Sequence, residues 1–370
     1  WNVSSLLDAS NMFLNGSLSI DNYDALLQGW SSQVVQSGVT FYSNAEYSFI
    51  GEPYRDILTN VPNSWVITDA GCSNCGPIPF IMEVNATAGA TIYLNSATVT
   101  GTVDFGDGTI DSYSGSTQAM QHTYPTGGLY YLVINGDISK ISTYGSSVTD
   151  IIQWGNTNTS SWKFSNMASL TTFSALDIPT FPIGTDCGSM FRGASNLNDP
   201  SISNWNVSNV ANFNRMFENC TSFNQSVNNW DVTSATGLNA FSTMFGQCTS
   251  FNQPITSWNL TNAVGLFQLL GNCTSYNQSL EGLNLGGVNN ISNMLYGCTS
   301  FNQPMDNFNV TNVEQFWGLF EGCTSFNQPI NLWNVSSGLD MKYMFRGATS
   351  FNQPLSNWNT VNVTSFIEMF

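Results

Sequence analysis

Cysteine offers this chain the most chemistry, and its eight copies fall into two settings. Cys72 and Cys75 form the single Cys-x-x-Cys. A zinc site needs four ligands, and the one histidine, His122, is the only imidazole to add to them. A redox role needs a thioredoxin-like βαβ setting, which the flanking residues lack. The expectation is a local or domain-junction disulfide. Cys220, Cys248, Cys273, Cys298 and Cys323 make the second setting, at near-constant spacing. If they stack, neighbours stand about 5 Å apart, within disulfide reach, so a pair such as Cys273 with Cys298 is open. Ala194 and Ala348 hold the same slot, which favours the other reading, a small apolar group packed inside as a free thiol.

Asp104, Asp107 and Asp111 put three carboxylates into one short Gly-rich loop. Calcium takes such oxygen-rich turns, and so do Asx turns in which each Asp caps a backbone amide. Calcium is thus the single cofactor candidate. His122, in His-Thr-Tyr, reads as structural. The chain has no P-loop, no GxGxxG after a strand, no HExxH and no GxSxG. Paired carboxylates set across a cleft, as glycoside hydrolysis needs, are also not in view, and the chain reads as non-enzymatic. Asn-x-Ser/Thr sequons at Asn2, Asn15, Asn85, Asn158, Asn206, Asn259, Asn309, Asn334 and Asn362 are candidate glycan sites. Asn219, Asn224, Asn272, Asn277 and Asn290 repeat the pattern, and Asn before Ser or Thr is also ordinary turn chemistry.

Composition narrows the classes. Charged residues are 8% of the chain, with 7 basic against 24 acidic, for a net charge of −17. No basic run or patch is present, which argues against nucleic acid and against a Lys/Arg anchor on anionic lipid. No apolar stretch reaches the ~18 residues of a membrane span. The first residues lack the basic and apolar regions of a signal peptide, so either a leader is missing or the chain is a piece of something longer. Low charge, frequent sequons and few Lys fit an exported, surface-displayed protein.

The elements that must position these residues are repeats. CTSFNQS, CTSFNQP, CTSYNQS, CTSFNQP, CTSFNQP and ATSFNQP start at 220, 248, 273, 298, 323 and 348, in steps of 28, 25, 25, 25 and 25. Such a period implies units that each bury an apolar face on the next. The consensus is close to W-N-V-S/T-N-V, then five residues, then M-F-x-x-C-T-S-F-N-Q-P. Trp205, Trp230, Trp258, Trp333 and Trp358 head units, with Leu283 and Phe308 in the same slot. Phe223, Phe251, Phe301, Phe326 and Phe351, with Tyr276, follow the Cys slot. These are core positions. WNV reads as a very short strand, and Val210, Phe213, Met216 and Phe217 have helical apolar spacing, so a rung is expected to be strand, short helix, turn. Asn224, Asn252, Asn277, Asn302, Asn327 and Asn352 share one phase and form a candidate amide ladder. The predicted fold is a leucine-rich-repeat-like solenoid joined to a small Ig-like sandwich and an α/β cap.

The boundaries follow. Residues 1–13 read as the last rung of a preceding array, 14–75 as an α/β cap, 76–142 as an all-β sandwich, 143–189 as irregular lead-in rungs, and 190–370 as the regular array. Trp1 to Met12-Phe13 repeats the spacing of Trp358 to Met369-Phe370, which suggests a tandem super-period of 357 residues.

MFENCTSFNQSVNNWDVTSA and MFRGATSFNQPLSNWNTVNV resemble the BspA-like, leucine-rich-repeat-type surface proteins, also described through a mycoplasma-lipoprotein-type repeat of about 25 residues. DFGDGT with HTYPTGGLYYLVI resembles a PKD-type domain, and DNYDALLQGWSSQVVQSGVTFYSNAEYS resembles the segment that ends such arrays. The resemblance implies surface display, adhesion, and binding of matrix or host protein without catalysis. The expected function is an extracellular structural or adhesive repeat protein, one module of a longer fibre that self-associates. The alternative is a monomeric adhesin holding host or matrix protein or glycan on its repeat face.

Overall fold

The computed structural model describes residues 1–370 except 11, 14, 15, 17, 49, 50, 61, 74–77, 95–97, 116–119, 145 and 146. Two apolar cores organise the chain. The smaller gathers Val3, Ala9, Tyr23, Leu27, Trp30, Phe41 and Trp65. Strands β1 (Asp8–Ala9), β2 (Thr40–Tyr42) and β3 (Val66–Thr68) pair in parallel there, in the order β1-β2-β3. Helix α1 (Ile20–Ser31) turns Tyr23, Leu27 and Trp30 inward, and its first turn is capped by Ser19, whose Oγ accepts from the Asn22 N–H. Helix α2 (Glu52–Thr59) follows, with Pro in its first turn.

The larger core runs without a break from Phe80 to Ala348. Ten strands line its first part: β4 (Phe80–Ala86), β5 (Thr91–Leu94), β6 (Thr98–Asp104), β7 (Ile110–Ser114), β8 (Met120–Thr123), β9 (Gly128–Tyr144), β10 (Val148–Gln153), β11 (Ser161–Ser165), β12 (Thr185–Asp186) and β13 (Val210–Asn212). They belong to one mixed sheet. The 17-residue β9 is its pivot. Its first part pairs antiparallel with β4 and β6, and its last five residues pair parallel with β11. β12 and β13 then continue the parallel edge. The expected separate sandwich over 76–142 is therefore corrected: one hydrogen-bonded sheet carries the antiparallel strands and the first repeat layers together.

The leucine-rich-repeat-type solenoid of strand-plus-helix rungs is also corrected. Among the described residues, helix is limited to α1, α2 and a 3-10 helix over Pro200–Asn204, and no helix or multi-residue strand lies beyond Asn212. The hydrogen bonds of residues 213–220 give the reason. The N–H groups of Phe213, Arg215, Phe217 and Asn219 donate to carbonyls one unit on, at Ala240, Ser242, Met244 and Gly246. Those of Met216, Glu218 and Cys220 close turns onto Phe213, Arg215 and Phe217. Asn214 N–H meets its neighbour Asn212 Oδ1 at 2.9 Å. Every donor is thus placed, alternately on the next unit and locally. An α-helix would need a run of negative φ, whereas Arg215 and Asn219 stand at φ 56° and 64°. The same two slots are left-handed in later units, as Asn293 and Gly297, Gly318 and Gly322, and Tyr343 and Gly347. These are the φ signs of linked type II turns, which is why glycine recurs there. The ribbon turns Phe213, Met216 and Phe217 inward at spacings of three and four, and so imitates a helical pattern.

Units nevertheless lie in register. Isolated parallel bridges join Gly265 to Asn290, Asn290 to Gln315, Gln315 to Asp340 and Asp340 to Ser365. The rings of Phe251, Tyr276, Phe301, Phe326 and Phe351 form a column with centroid steps of 6.0, 6.2, 5.8 and 5.8 Å. The first four of these rings are wholly buried, and Phe351 is partly so.

Candidate binding face

Thiols first. Cys72 is disulfide-bonded, and Cys75 lies outside the described residues. Cys187, Cys220, Cys248, Cys273, Cys298 and Cys323 are free and buried. The proposed Cys273–Cys298 bridge does not form. Each thiol of the row instead donates to a carbonyl below it: Cys220 Sγ to Phe191 O at 3.0 Å, Cys273 Sγ to Phe245 O at 3.0 Å and Cys298 Sγ to Leu270 O at 3.1 Å. Burial pushes all six thiols well above the ordinary value, so they are not nucleophiles at neutral pH.

The three carboxylates of the Gly-rich loop do not converge. Asp104 Oδ1 accepts from Gly106 N–H at 2.8 Å, Asp107 Oδ1 from Thr109 N–H at 3.0 Å, and Asp111 Oδ2 from the Tyr113 hydroxyl at 3.2 Å. Asp107 Oδ2 reaches His122 Nε2 at 2.8 Å, and the imidazole lies flat on Phe105 at 4.3 Å. Partial burial works against ionisation of Asp107, but the Thr109 N–H and His122 outweigh it and lower its pKa. Among the described residues, no group of three His, Cys, Asp or Glu is arranged to hold a metal ion. The Asp104, Asp107, Asp111 calcium candidate is therefore withdrawn in favour of turn capping.

The sequon asparagines divide by their hydrogen bonds. At the heads of units, Asn206, Asn259 and Asn334 accept on Oδ1 from both the N–H and the hydroxyl of the residue two on, and Asn309 accepts from the Thr311 N–H. Asn2 does the same with Ser4. Asn85 and Asn158 are exposed, and Asn15 lies outside the described residues. Asn362 differs, because its Nδ2 donates to Ser336 O at 2.8 Å.

The amide ladder is built by a rule that one unit alone does not reveal. Asn224 Oδ1 accepts from Asn252 N–H at 2.9 Å and from Gln253 Nε2 at 3.1 Å. Asn252 accepts in the same way from Asn277 and Gln278, and the pattern continues through Asn277, Asn302 and Asn327. Beside it, Thr249, Thr274, Thr299 and Thr324 each donate a hydroxyl to the threonine carbonyl of the unit below. This face is uncharged and repeats itself.

The opposite side, along the Met-Phe ribbon, varies from unit to unit and carries the cations. Lys140 on β9 pairs in register with Ser161 on β11, Ser161 with Asp186 on β12, and Asp186 with Asn212 on β13. Lys163 lies two residues beyond Ser161 on the same side of its strand. Arg192 and Arg215 follow Asp186 and Asn212 on the next two layers. Higher up, Lys342 and Arg346 hold the same side. Six of the seven basic residues therefore share one flank, and the seventh, Arg55, is bound to Asp69 at 2.8 Å inside the smaller core. The ion pairs in the lower group are few. Arg192 meets Glu218 at 2.6 Å, while Arg215 to Glu218 and Lys163 to Asp186 are long, at 3.8 and 3.9 Å. Lys140 has no ion pair among the described residues. Sequence reading missed this group and took the chain to lack a basic patch. The available signal was spacing, since Lys140, Lys163, Arg192 and Arg215 lie 23, 29 and 23 residues apart, close to one unit each.

No described helix is long and apolar enough to cross a membrane. A search of curated proteins and a search of solved structures each find no match. Residues 180–283 and 264–370 each match the family described as Mycoplasma protein of unknown function, DUF285. Those two matches span the stacked units and more than half of the chain, which thereby belongs to the DUF285 family of Mycoplasma proteins of unknown function.

Proposed function

We propose that the chain is an extracellular, non-enzymatic structural and adhesive protein, displayed in the manner of BspA-like surface proteins and serving as a module of a longer fibre. The observation that carries this reading is the in-register stack from Phe213 to Phe370, in which ring, amide, hydroxyl and thiol rows each repeat at unit spacing. Such rows couple every unit to its neighbours over the whole cross-section, so the stack resists bending and shear. Its polar surface, built from amides and hydroxyls, suits a protein that stays folded outside the cell without dense charge. Self-association with other modules or copies is the partner expected of it. Electron microscopy of native material tests the reading: filaments with an axial repeat support it, and compact monodisperse particles overturn it.

A second reading, a monomeric adhesin for a host or matrix protein or glycan, is favoured by the Met-Phe flank, whose residues change between units while the ladder face does not. Light scattering on the purified chain separates the two. A stable monomer that still binds cells or matrix selects the adhesin.

A further inference from the structure

We propose that the parallel edge of the large sheet, where Lys140, Lys163, Arg192 and Arg215 stand on four successive layers, is a docking surface for an acidic polysaccharide of the uronate class. The inference rests on the adhesive half of the reading above and names its ligand.

Charge is the first argument. With 24 acidic to 7 basic residues, chance placement would leave carboxylates in excess of cations on any flank. Here four cations face two carboxylates, Asp186 and Glu218, and Arg192 and Arg215 share Glu218 between them. The side chains are open to solvent: Lys163, Arg192 and Arg215 expose 35%, 45% and 48% of their area. The surface is therefore a local positive strip on an otherwise repelling molecule, and it selects for an anion that can be held at close range.

Geometry is the second. Adjacent layers of a sheet lie about 4.8 Å apart. The cations recur once per layer but step along the strands, since Lys163 pairs with Ser142 rather than Lys140 and Arg192 lies beside Ser165 and Asn166. They form an oblique strip across the stack that suits a linear polymer with sparse charges. The ground between the cations is hydrophilic. Ser142, Ser189 and Asn214 lie on the same layers, partly exposed, and offer hydroxyl and amide groups to sugar hydroxyls. The same ground disfavours nucleic acid. Duplex DNA carries one charge per ~1.7 Å, too dense for four cations backed by a strongly acidic protein. Among the described side chains beside these cations, the rings of Trp162, Phe164, Phe191, Phe213 and Phe217 are buried, so none of these five offers a platform for stacking bases.

The test is direct binding of fluorescent polygalacturonate to the full chain at low salt, followed through a salt titration. Binding is expected, weakening as salt rises, with a log–log slope no steeper than roughly the four cations allow. The double variant Lys163→Gln/Arg215→Gln should lose at least about tenfold in affinity. Lys140→Gln, at a partly exposed site with no ion-pair partner among the described residues, should lose less but measurably, and it keeps the test valid if the double variant misfolds. Lys342→Gln, outside the lower group, should bind as the parent does. Absence of binding at low salt overturns the proposal, as does a double variant that is folded by circular dichroism yet binds normally. Tighter binding of single-stranded DNA or of phosphatidylserine vesicles than of polygalacturonate also overturns it. Filaments that persist when polygalacturonate fails to bind would remove this inference and leave the structural reading intact; binding without filaments would do the reverse.

Discussion

Tryptophan behaves differently in the two parts of the large core. In the stack, Trp230, Trp258, Trp333 and Trp358 each donate their indole N–H to a carbonyl of the unit below, at Ile202, Val227, Met305 and Ile330. In the layers beneath, Trp154, Trp162 and Trp205 are buried and their N–H groups have no acceptor among the described residues. Trp205 occupies the same slot as the paired residues; what it lacks is a regular unit under it. These three rings instead pack edge to face, with Trp154 at 79° to Trp162 and at 81° to Trp205. Edge-to-face contact directs N–H or C–H dipoles at a neighbouring ring, which is weaker than a carbonyl bond. Repetition thus supplies polar satisfaction to the stack that the aromatic base of the core has to do without.

The largest effect expected is on alkaline stability. All six free thiols have raised pKa values because burial disfavours the thiolate. A raised value means the contribution is complete below the ordinary thiol value of 9.0 and is lost as pH rises above it, because only the unfolded chain can ionise. Each thiol should then weaken the fold further with every pH unit beyond that point. Denaturant midpoints measured from pH 7 to pH 11 should fall steeply, and Cys298→Ala should make the fall shallower. An unchanged slope would mean that the row is not sealed.

Removing a ring from the column comes next. Phe301 is wholly buried between Tyr276 and Phe326. Its neighbours are held at unit spacing and cannot close the gap, so Phe301→Ala should lose about 3–5 kcal/mol in urea unfolding. A loss under ~1 kcal/mol would show that the units relax independently.

Asn252→Ala should cost less, about 1–2 kcal/mol, by leaving Asn277 N–H and Gln278 Nε2 without their shared acceptor. Its signature is locality: hydrogen exchange should quicken at Asn277 before it does at Asn327.

The smallest effect tests the tryptophan contrast itself. Trp258→Phe removes a bond to Val227 O, whereas Trp205→Phe removes a donor that has no acceptor. With similar ring loss in both, Trp258→Phe should be the more destabilising by about 1 kcal/mol, measured under the same denaturant. Equal losses would erase the distinction.

Much of the stack was legible in the chain. The Cys/Ala slot, the ring slot and the Asn phase were read from their spacing alone, and each marks a real row. The rung interior was misread. Val210, Phe213, Met216 and Phe217 satisfy a helical template, and a ribbon of linked turns with left-handed residues at Arg215 and Asn219 satisfies it equally well. The Cys273–Cys298 bridge and the calcium candidate failed for a related reason, while the expected disulfide at Cys72 is present. Spacing can bring Cys273 near Cys298, or Asp104 near Asp107, but it does not say which carbonyl or amide each group will face.

Period and residue type established which side chains are buried and which repeat, because burial follows from apolarity and stacking follows from identity at constant intervals. Whether an N–H closes a local turn or crosses to the next unit was beyond the reach of that reading. The choice depends on a carbonyl about 25 residues away that exists as an acceptor only once the next unit is in place. Gathering Lys140, Lys163, Arg192 and Arg215 on one flank likewise needed the register of β9, β11, β12 and β13, since four cations far apart along a chain become neighbours only when strands align.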